Sequence, residues 1–213
     1  MKSAVGSDAN PARGCGSMSA RPSRAERRIL LQQVASRLIA ERGFESVSVN
    51  DLARDLDISV GGLYRYIKTK SDLLVMVCET IYGGLRDTLA EIATSSDREL
   101  PEKLRVAMSV YLEECLKNRE QILLMYREYR HLPQEAHRRY KDRELGIVGI
   151  FADLISSGMR RGCFRPVDPQ VIAQDIVFLG HLPALKGWAL RGVIKPEELA
   201  SEQVELVMAR LRP

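Results

Sequence analysis

The chain has 213 residues, 45% of them apolar, enough for one large domain or for a small domain joined to a larger one. Its formal charge is +4, and residues 1–70 hold twelve Lys/Arg against seven Asp/Glu, so the positive excess lies at the N-terminal end and favours a polyanionic partner there. No apolar run reaches the ~18 residues of a membrane span, since the longest candidate, GIVGIFADLI at 146–155, is broken by Asp153, and neither the four cysteines (Cys15, Cys78, Cys115, Cys163) nor the three histidines have metal-ligand spacing.

Residues 1–22 are rich in Gly, Ser, Ala, Pro and Arg and lack the apolar stretch of a secretion signal, so they read as a disordered basic tail. A chain with no such signal and scattered thiols is expected in the cytoplasm, with its cysteines reduced. After Pro22 almost everything reads as helix, and strand signals are absent. The first helix is expected at about 23–42, with Ile29, Val34, Leu38 and Ile39 as its apolar stripe, Gly43 as its C-terminal stop and Phe44 as a core plug. Ser48 and Asp51 have capping-box spacing and open a short amphipathic helix carrying Val49, Leu52, Ala53 and Leu56. Asp57 breaks it. Ser59 caps a second short helix, Ser-Val-Gly-Gly-Leu-Tyr-Arg-Tyr-Ile, ending near Ile67.

Ser71 is expected to cap a long helix to about 93. Helices follow at 99–117, 119–131 and from Pro133 to about 161, the last closed by Gly162. Asp168-Pro169 starts another, to about 191, interrupted by Gly180 and Pro183. Pro196 starts the last, with Glu197 and Glu198 near its positive end. The expectation is an all-α chain of nine helices: the tail at 1–22, a small helical domain at 23–75 and a larger one at 76–213.

The helix at 59–67 is poorly made for its own sake. Gly61 and Gly62 stand in its first turn, and each costs about 1 kcal/mol relative to Ala. Two short helices joined by a tight turn form a helix-turn-helix, whose second helix presents its N-terminal residues to the major groove. Glycines there remove side chains where backbone must come close to another surface. Tyr64 and Tyr66 can donate to phosphates, Arg65 can reach a phosphate or a guanine edge, and Thr69 and Lys70 follow close behind. A solvated loop with a glycine turn is the plainer alternative.

The stretch GFESVSVNDLARDLDISVGGLYRYIKTKSDLL, residues 43–74, resembles the DNA-binding domain of TetR-family transcriptional regulators. The matching features are the Gly-aromatic pair, the hydroxyl cap, Asp51-Leu52-Ala53, the LYRY run at 63–66, and Lys70-Ser71 followed by Leu73-Leu74. At motif level the resemblance covers about 23–75; in helix order it extends to the C-terminus. It implies double-stranded DNA as partner, contacted through Ser48, Asn50, Ser59, Val60, Gly61, Gly62, Tyr64, Arg65, Tyr66, Thr69 and Lys70. Three positions depart from the pattern. Asp57 replaces a usual turn glycine and tolerates a left-handed conformation. Ile67 replaces a usual Phe. Val60 and Gly62 replace positions that often carry polar groups, which moves readout toward a Val60–thymine methyl contact, Arg65 and DNA shape.

The resemblance further implies a homodimer, most often a repressor, that responds to a small effector. The residues support the dimer independently, because the helix at 168–191 is apolar around most of its circumference and needs burial on two sides. The expected interface is Val171, Phe178, Leu182 and Leu185, with Val204, Val207, Met208 and Leu211 of the last helix, in a two-fold four-helix arrangement. Effector candidates are Tyr111, Met125, Tyr126, Tyr129, Phe151, Phe178 and Trp188, with Arg138 and Arg139 among the cations that would suit the phosphates of an acyl-CoA; a fatty acid is the nearest competitor. No cofactor, metal or membrane is expected. An enzyme is the competing class, and it lacks a nucleophile–base pair or ligand cluster. A helical interaction module without DNA is the third.

Overall fold

The computed structural model describes residues 23–82 and 84–213, with backbone alone at 78–80. The expected tail and Cys15 lie outside the described residues, as does the side chain of Cys78. Among the described residues there is no strand; the chain is all-α. Helix α1 spans Arg24–Arg42, α2 Val49–Asp55, α3 Val60–Leu63, α4 Ser71–Ile81, α5 Leu85–Thr94, α6 Leu100–Lys117 and α7 Arg119–Glu128. A 3-10 turn at Tyr129–His131 leads to α8 (Gln134–Arg160), α9 (Pro169–Leu190) and α10 (Pro196–Leu211).

Ser23 starts α1 with a capping box, its Oγ accepting from the Glu26 amide while the Glu26 carboxylate accepts from the Ser23 amide. The buried stripe is Leu31, Val34, Ala35, Leu38 and Ile39. Ile29 is not part of it and lies 54% exposed, because the stripe begins half a turn further on. Gly43, at φ +77°, ends the helix and turns Phe44 into the core. Ser48 and Asp51 make the expected second capping box. Asp57 takes the left-handed turn position at φ +51°.

Among the described residues there are ten α-helices, against nine expected, and the extra one comes from residues 71–93. That segment is two helices, broken at Tyr82–Gly84, with Gly84 at φ +76°. The sequence carries Gly83-Gly84 at this place. Ser71 is not the cap of α4. The amides of Lys68 and Thr69 are satisfied by the Asp72 carboxylate, at 2.6 and 2.8 Å. The segment at 119–131 also divides, its last three residues tightening into the 3-10 turn.

Neither Gly180 nor Pro183 breaks α9. A Cβ at position 180 would lie 2.5 Å from a Tyr111 ring carbon and 2.9 Å from Cys115 Sγ, so the glycine lets α9 close on α6. Pro183 has no amide for the Leu179 carbonyl one turn back. The buried Gln203 of α10 supplies the missing donor, Nε2 to Leu179 O at 3.0 Å. Around this axis α8 packs on α9, α6 on α5, α9 and α10, and α1 on α4 and α7, in one continuous core. No described helix is long and apolar enough to cross a membrane.

Candidate functional site

Helix α3 is a single turn, and its hydrogen-bonded continuation reaches Ile67 rather than remaining helical. Leu63 and Ile67 are buried in the core, and α3 packs on α2, which offsets its poor propensity. Ser59 Oγ accepts from the Gly62 amide at 3.0 Å. The opposite side is open. Tyr64 is 51% exposed, Arg65, Thr69 and Gly61 are exposed, and Tyr66 is half-buried against the core. A Cβ at Gly61 would meet nothing within 4 Å, and its φ is outside the left-handed region. Nothing in the subunit requires glycine there. A Cβ at Gly62 would come 3.2 Å from Ser59 Oγ, a contact that the cap must yield to.

The helix preceding the turn presents Ser48 and Asn50 to solvent, while Val60 is half-buried. The Ser48 hydroxyl is engaged by Asp51, donating at 2.6 Å. These hydrogen bonds to Ser48, first from its side chain and then from its backbone, hold the Asp51 carboxyl below its ordinary range. Lys70 Nζ donates to the Glu45 carbonyl at 2.8 Å and sits 4.6 Å over the Phe44 ring. Lys70 therefore has a structural tie beside any external contact.

Phe44 and Glu45 are also held from the other side, by the end of α7. The Phe44 amide donates to the buried Glu128 carboxylate at 3.4 Å. His131 lies 3.1 Å from the Glu45 carboxylate and 5.6 Å, ring to ring, from Phe44. An unbroken helix was expected at 71–93. The structure instead ties α1–α3 to the larger body through α4, which ends at Ile81, through α1 packed on α7, and through this Phe44–Glu128 joint.

Within the larger body the effector candidates separate. Tyr111, Met125 and Phe151 are buried, with Tyr111 edge-on to Phe151 at 5.6 Å. Tyr129 stacks on His137 at 4.4 Å. Phe178 and Trp188 are 55% and 73% exposed. Arg138 and Arg139 lie exposed on α8, Arg138 beside Glu135 at 3.4 Å, and neither lines the groove beside Trp188. Tyr126 joins Tyr111 through a group that the sequence reading did not single out, His181. Its Nδ1 is 3.0 Å from the Tyr126 hydroxyl, and its Nε2 is 2.9 Å from the Tyr82 hydroxyl and 3.3 Å from that of Tyr111. Tyr111 donates to the Val177 carbonyl, and Tyr140 donates to Glu144 at 3.1 Å. Burial lowers the His181 pKa to about 4 and raises those of Tyr82, Tyr111 and Tyr140, so the cluster holds a neutral imidazole among protonated phenols. A histidine on the otherwise apolar inner stripe of α9 was the signal available in the sequence.

The expected interface residues divide by face. Val171 is 55% exposed, like Phe178, and Leu182 and Leu185 are half-buried, so α9 keeps an uncovered apolar stripe. Val204, Val207, Met208 and Leu211 are buried in the subunit itself, where α10 packs on α6; the apolar residue that α10 leaves outside is Leu206, 63% exposed. At the far end of α9 a groove of about 880 Å³ opens beside Trp188.

Comparison with known proteins completes the picture. Residues 31–77 match the family described as bacterial regulatory proteins, tetR family, and residues 97–211 match the tetracyclin repressor-like C-terminal domain. The HTH-type transcriptional regulator HbdR of Aromatoleum sp. (strain CIB) is 26% identical over 174 residues, 77% of this chain and 71% of that protein. The fold is shared with a tetR-family regulatory protein from Rhodococcus RHA1, at a TM-score of 0.78 and 23% identity over 90% of this chain and 98% of that one. It is shared also with AibR, solved in complex with isovaleryl coenzyme A and operator DNA, at a TM-score of 0.71 and 22% identity over 85% and 97%.

Proposed function

The chain belongs to the TetR family of bacterial DNA-binding transcriptional regulators, and on that premise we propose that it is a homodimeric repressor whose operator affinity is lowered by a small, mostly apolar effector. The observation that carries the DNA half is Gly61. It sits at the exposed start of α3, where the subunit has no use for a glycine, and the residues around it are Tyr64, Arg65, Thr69 and Lys70. Backbone that must approach a duplex accounts for it. Arg65 is assigned to a base edge or phosphate and Tyr64 to a phosphate, with Ser48, Asn50, Ser59 and Val60 flanking them. The uncovered stripe Val171, Phe178, Leu182 and Leu185 supports the dimer, which would place two reading units on a two-fold operator. A regulator that acts on the chromosome works in the cytoplasm.

For the effector, the AibR complex with isovaleryl coenzyme A supports an acyl compound; a free acid is the nearest competitor of a CoA thioester. The control is a coupling free energy between the two sites. The test of the DNA half is recovery of genomic fragments bound by the protein, followed by fluorescence anisotropy against salt. Binding should weaken steeply as salt rises. Arg65→Ala should flatten the preference among fragments, whereas Tyr64→Phe should weaken all of them alike. Failure to retain any fragment at low salt would end the DNA-binding reading.

A further inference from the structure

Along α9, Ala173, Ile176, Val177 and Gly180 form the stripe packed into the core. At the same helical spacing Ala184, Gly187 and Arg191 continue it. Beyond Ala184 the packing stops. A groove of about 880 Å³ opens between the last turns of α9, the α6–α7 corner and the start of α10. Leu116 and Leu123 line it from the corner, and Pro183, Ala184 and Gly187 from α9. A Cβ on Gly187 would meet nothing within 4 Å and its φ is not left-handed, so neither neighbours nor backbone demand glycine. Its missing side chain simply leaves volume. The uncovered stripe centred on Phe178 lies about 180° around the helix from Gly187. A dimer built on that stripe leaves the groove open.

The charges of the groove select among ligands. Arg119 lies 4.0 Å from Glu120, and Lys195 lies 3.6 Å from Glu198. Arg191 lines the groove with no hydrogen-bond or ion-pair partner among the described residues. Among the lining residues Arg191 is thus the uncompensated cation, bordering an apolar cavity whose size lies within the range of small-molecule sites, while Lys186 Nζ lies 5.5 Å over the Trp188 ring. A CoA group would bring several negative charges to one lining cation; a carboxylate brings one.

We propose that this groove is the effector site and that its ligand is a medium-chain monocarboxylate, the chain lying over Ala184 and Gly187 and the carboxylate paired with Arg191. The proposal deepens the effector half of the proposed function and rests on it for its regulatory meaning, but its test needs no DNA. Leu123 is one helical turn from Tyr126, and Ala184 one turn from His181. An occupant therefore lies next to the Tyr126–His181 bond, which leads through Tyr82 to the end of α4.

Trp188 lines the groove and is the only tryptophan of the chain, so its emission reports on the site directly. Full-length protein titrated with decanoate should show a saturable change in Trp188 emission. Arg191→Gln, at an exposed position, should raise the dissociation constant about tenfold or more. Gly187→Met, checked for native helix content, should abolish the change by filling the groove. Decyltrimethylammonium and decanoyl-CoA should each bind more weakly than decanoate. The proposal is overturned by no saturable response to decanoate, by an unchanged constant in Arg191→Gln, by tighter binding of decanoyl-CoA or the cation, or by emission that varies only with protein concentration, which would mean that a second copy covers the groove. Loss of operator binding in a separate assay would sink the DNA reading and leave these titrations unaffected.

Discussion

Gly61 separates stability from function at a single atom. The site has room for a methyl group, and Ala is about 1 kcal/mol better than Gly in a helix. Gly61→Ala should therefore leave the subunit as stable or more so, while weakening operator binding by crowding the duplex; Gly61→Leu should abolish it. Urea unfolding beside anisotropy checks this, and unchanged operator affinity in both variants would return the glycine to chance. His181 makes the second residue-scale prediction. Burial lowers its pKa to about 4 from an ordinary 6.5, so between these values the unfolded chain binds a proton that the folded chain does not. Stability must fall as pH drops through that window, by about 2 kcal/mol at pH 5. His181→Gln should lose that part of the pH dependence. Unfolding curves at pH 7.5 and 5 for both proteins give the difference directly, and parallel behaviour would refute it.

Among the elements, α9 carries the most information. Its proline survives because Gln203 reaches across from α10 to the carbonyl that Pro183 leaves without a donor. Gln203→Leu should cost about 1–3 kcal/mol by orphaning that buried carbonyl. Pro183→Ala restores a backbone donor to Leu179, so the same Gln203→Leu change should cost much less in that background. Equal costs in the two backgrounds would show that the hydrogen bond contributes nothing. The faces of α9 and α10 also differ in what a charge would do. Phe178 is 55% exposed in the subunit and Leu211 is fully buried. Phe178→Glu should yield a folded monomer in sedimentation, whereas Leu211→Glu should unfold the chain. A wild-type protein that sediments as a folded monomer at micromolar concentration would contradict the dimer.

At the scale of the whole molecule, the reading unit is joined to the larger body by α1 packed on α7, by the His131–Glu45 contact and by two hydrogen-bonded ties. One is α4, which ends beside Tyr82, whose hydroxyl meets His181; the other is the Phe44 amide on Glu128. An effector can change operator affinity only through a difference that such ties transmit. Glu128→Ala removes the second tie and leaves the Phe44 amide without its acceptor. The ratio of operator affinities without and with effector should then fall toward one, measured with decanoate as the first effector tried. A ratio equal to that of the wild type would place the coupling in the contacts that remain, α4 among them.

Ser48 and Asp51, and Asp57 in the turn, were legible from sequence because each acts on neighbours three or four residues away. The same holds for the glycine turn of α3, the all-α class and the order of the helices, which follow from caps, breakers and a 3.6-residue period. That period reveals an apolar stripe but not what covers it. Val204, Val207, Met208 and Leu211 have the spacing of an interface and face their own core, while Phe178 on α9 faces outward. The break at Gly84 was masked by the apolar residues on both sides of it, which suit one helix or two. Tyr82, Tyr111, Tyr126 and His181 are up to ninety-nine residues apart, and only the packing of α4, α6, α7 and α9 brings the three hydroxyls to one imidazole. What the sequence by itself determined is local, set by hydrogen bonds within a turn of each residue. The tertiary structure decided which face of each helix is spent on the subunit's own core, because burial is a property of the assembled surface and not of the stripe.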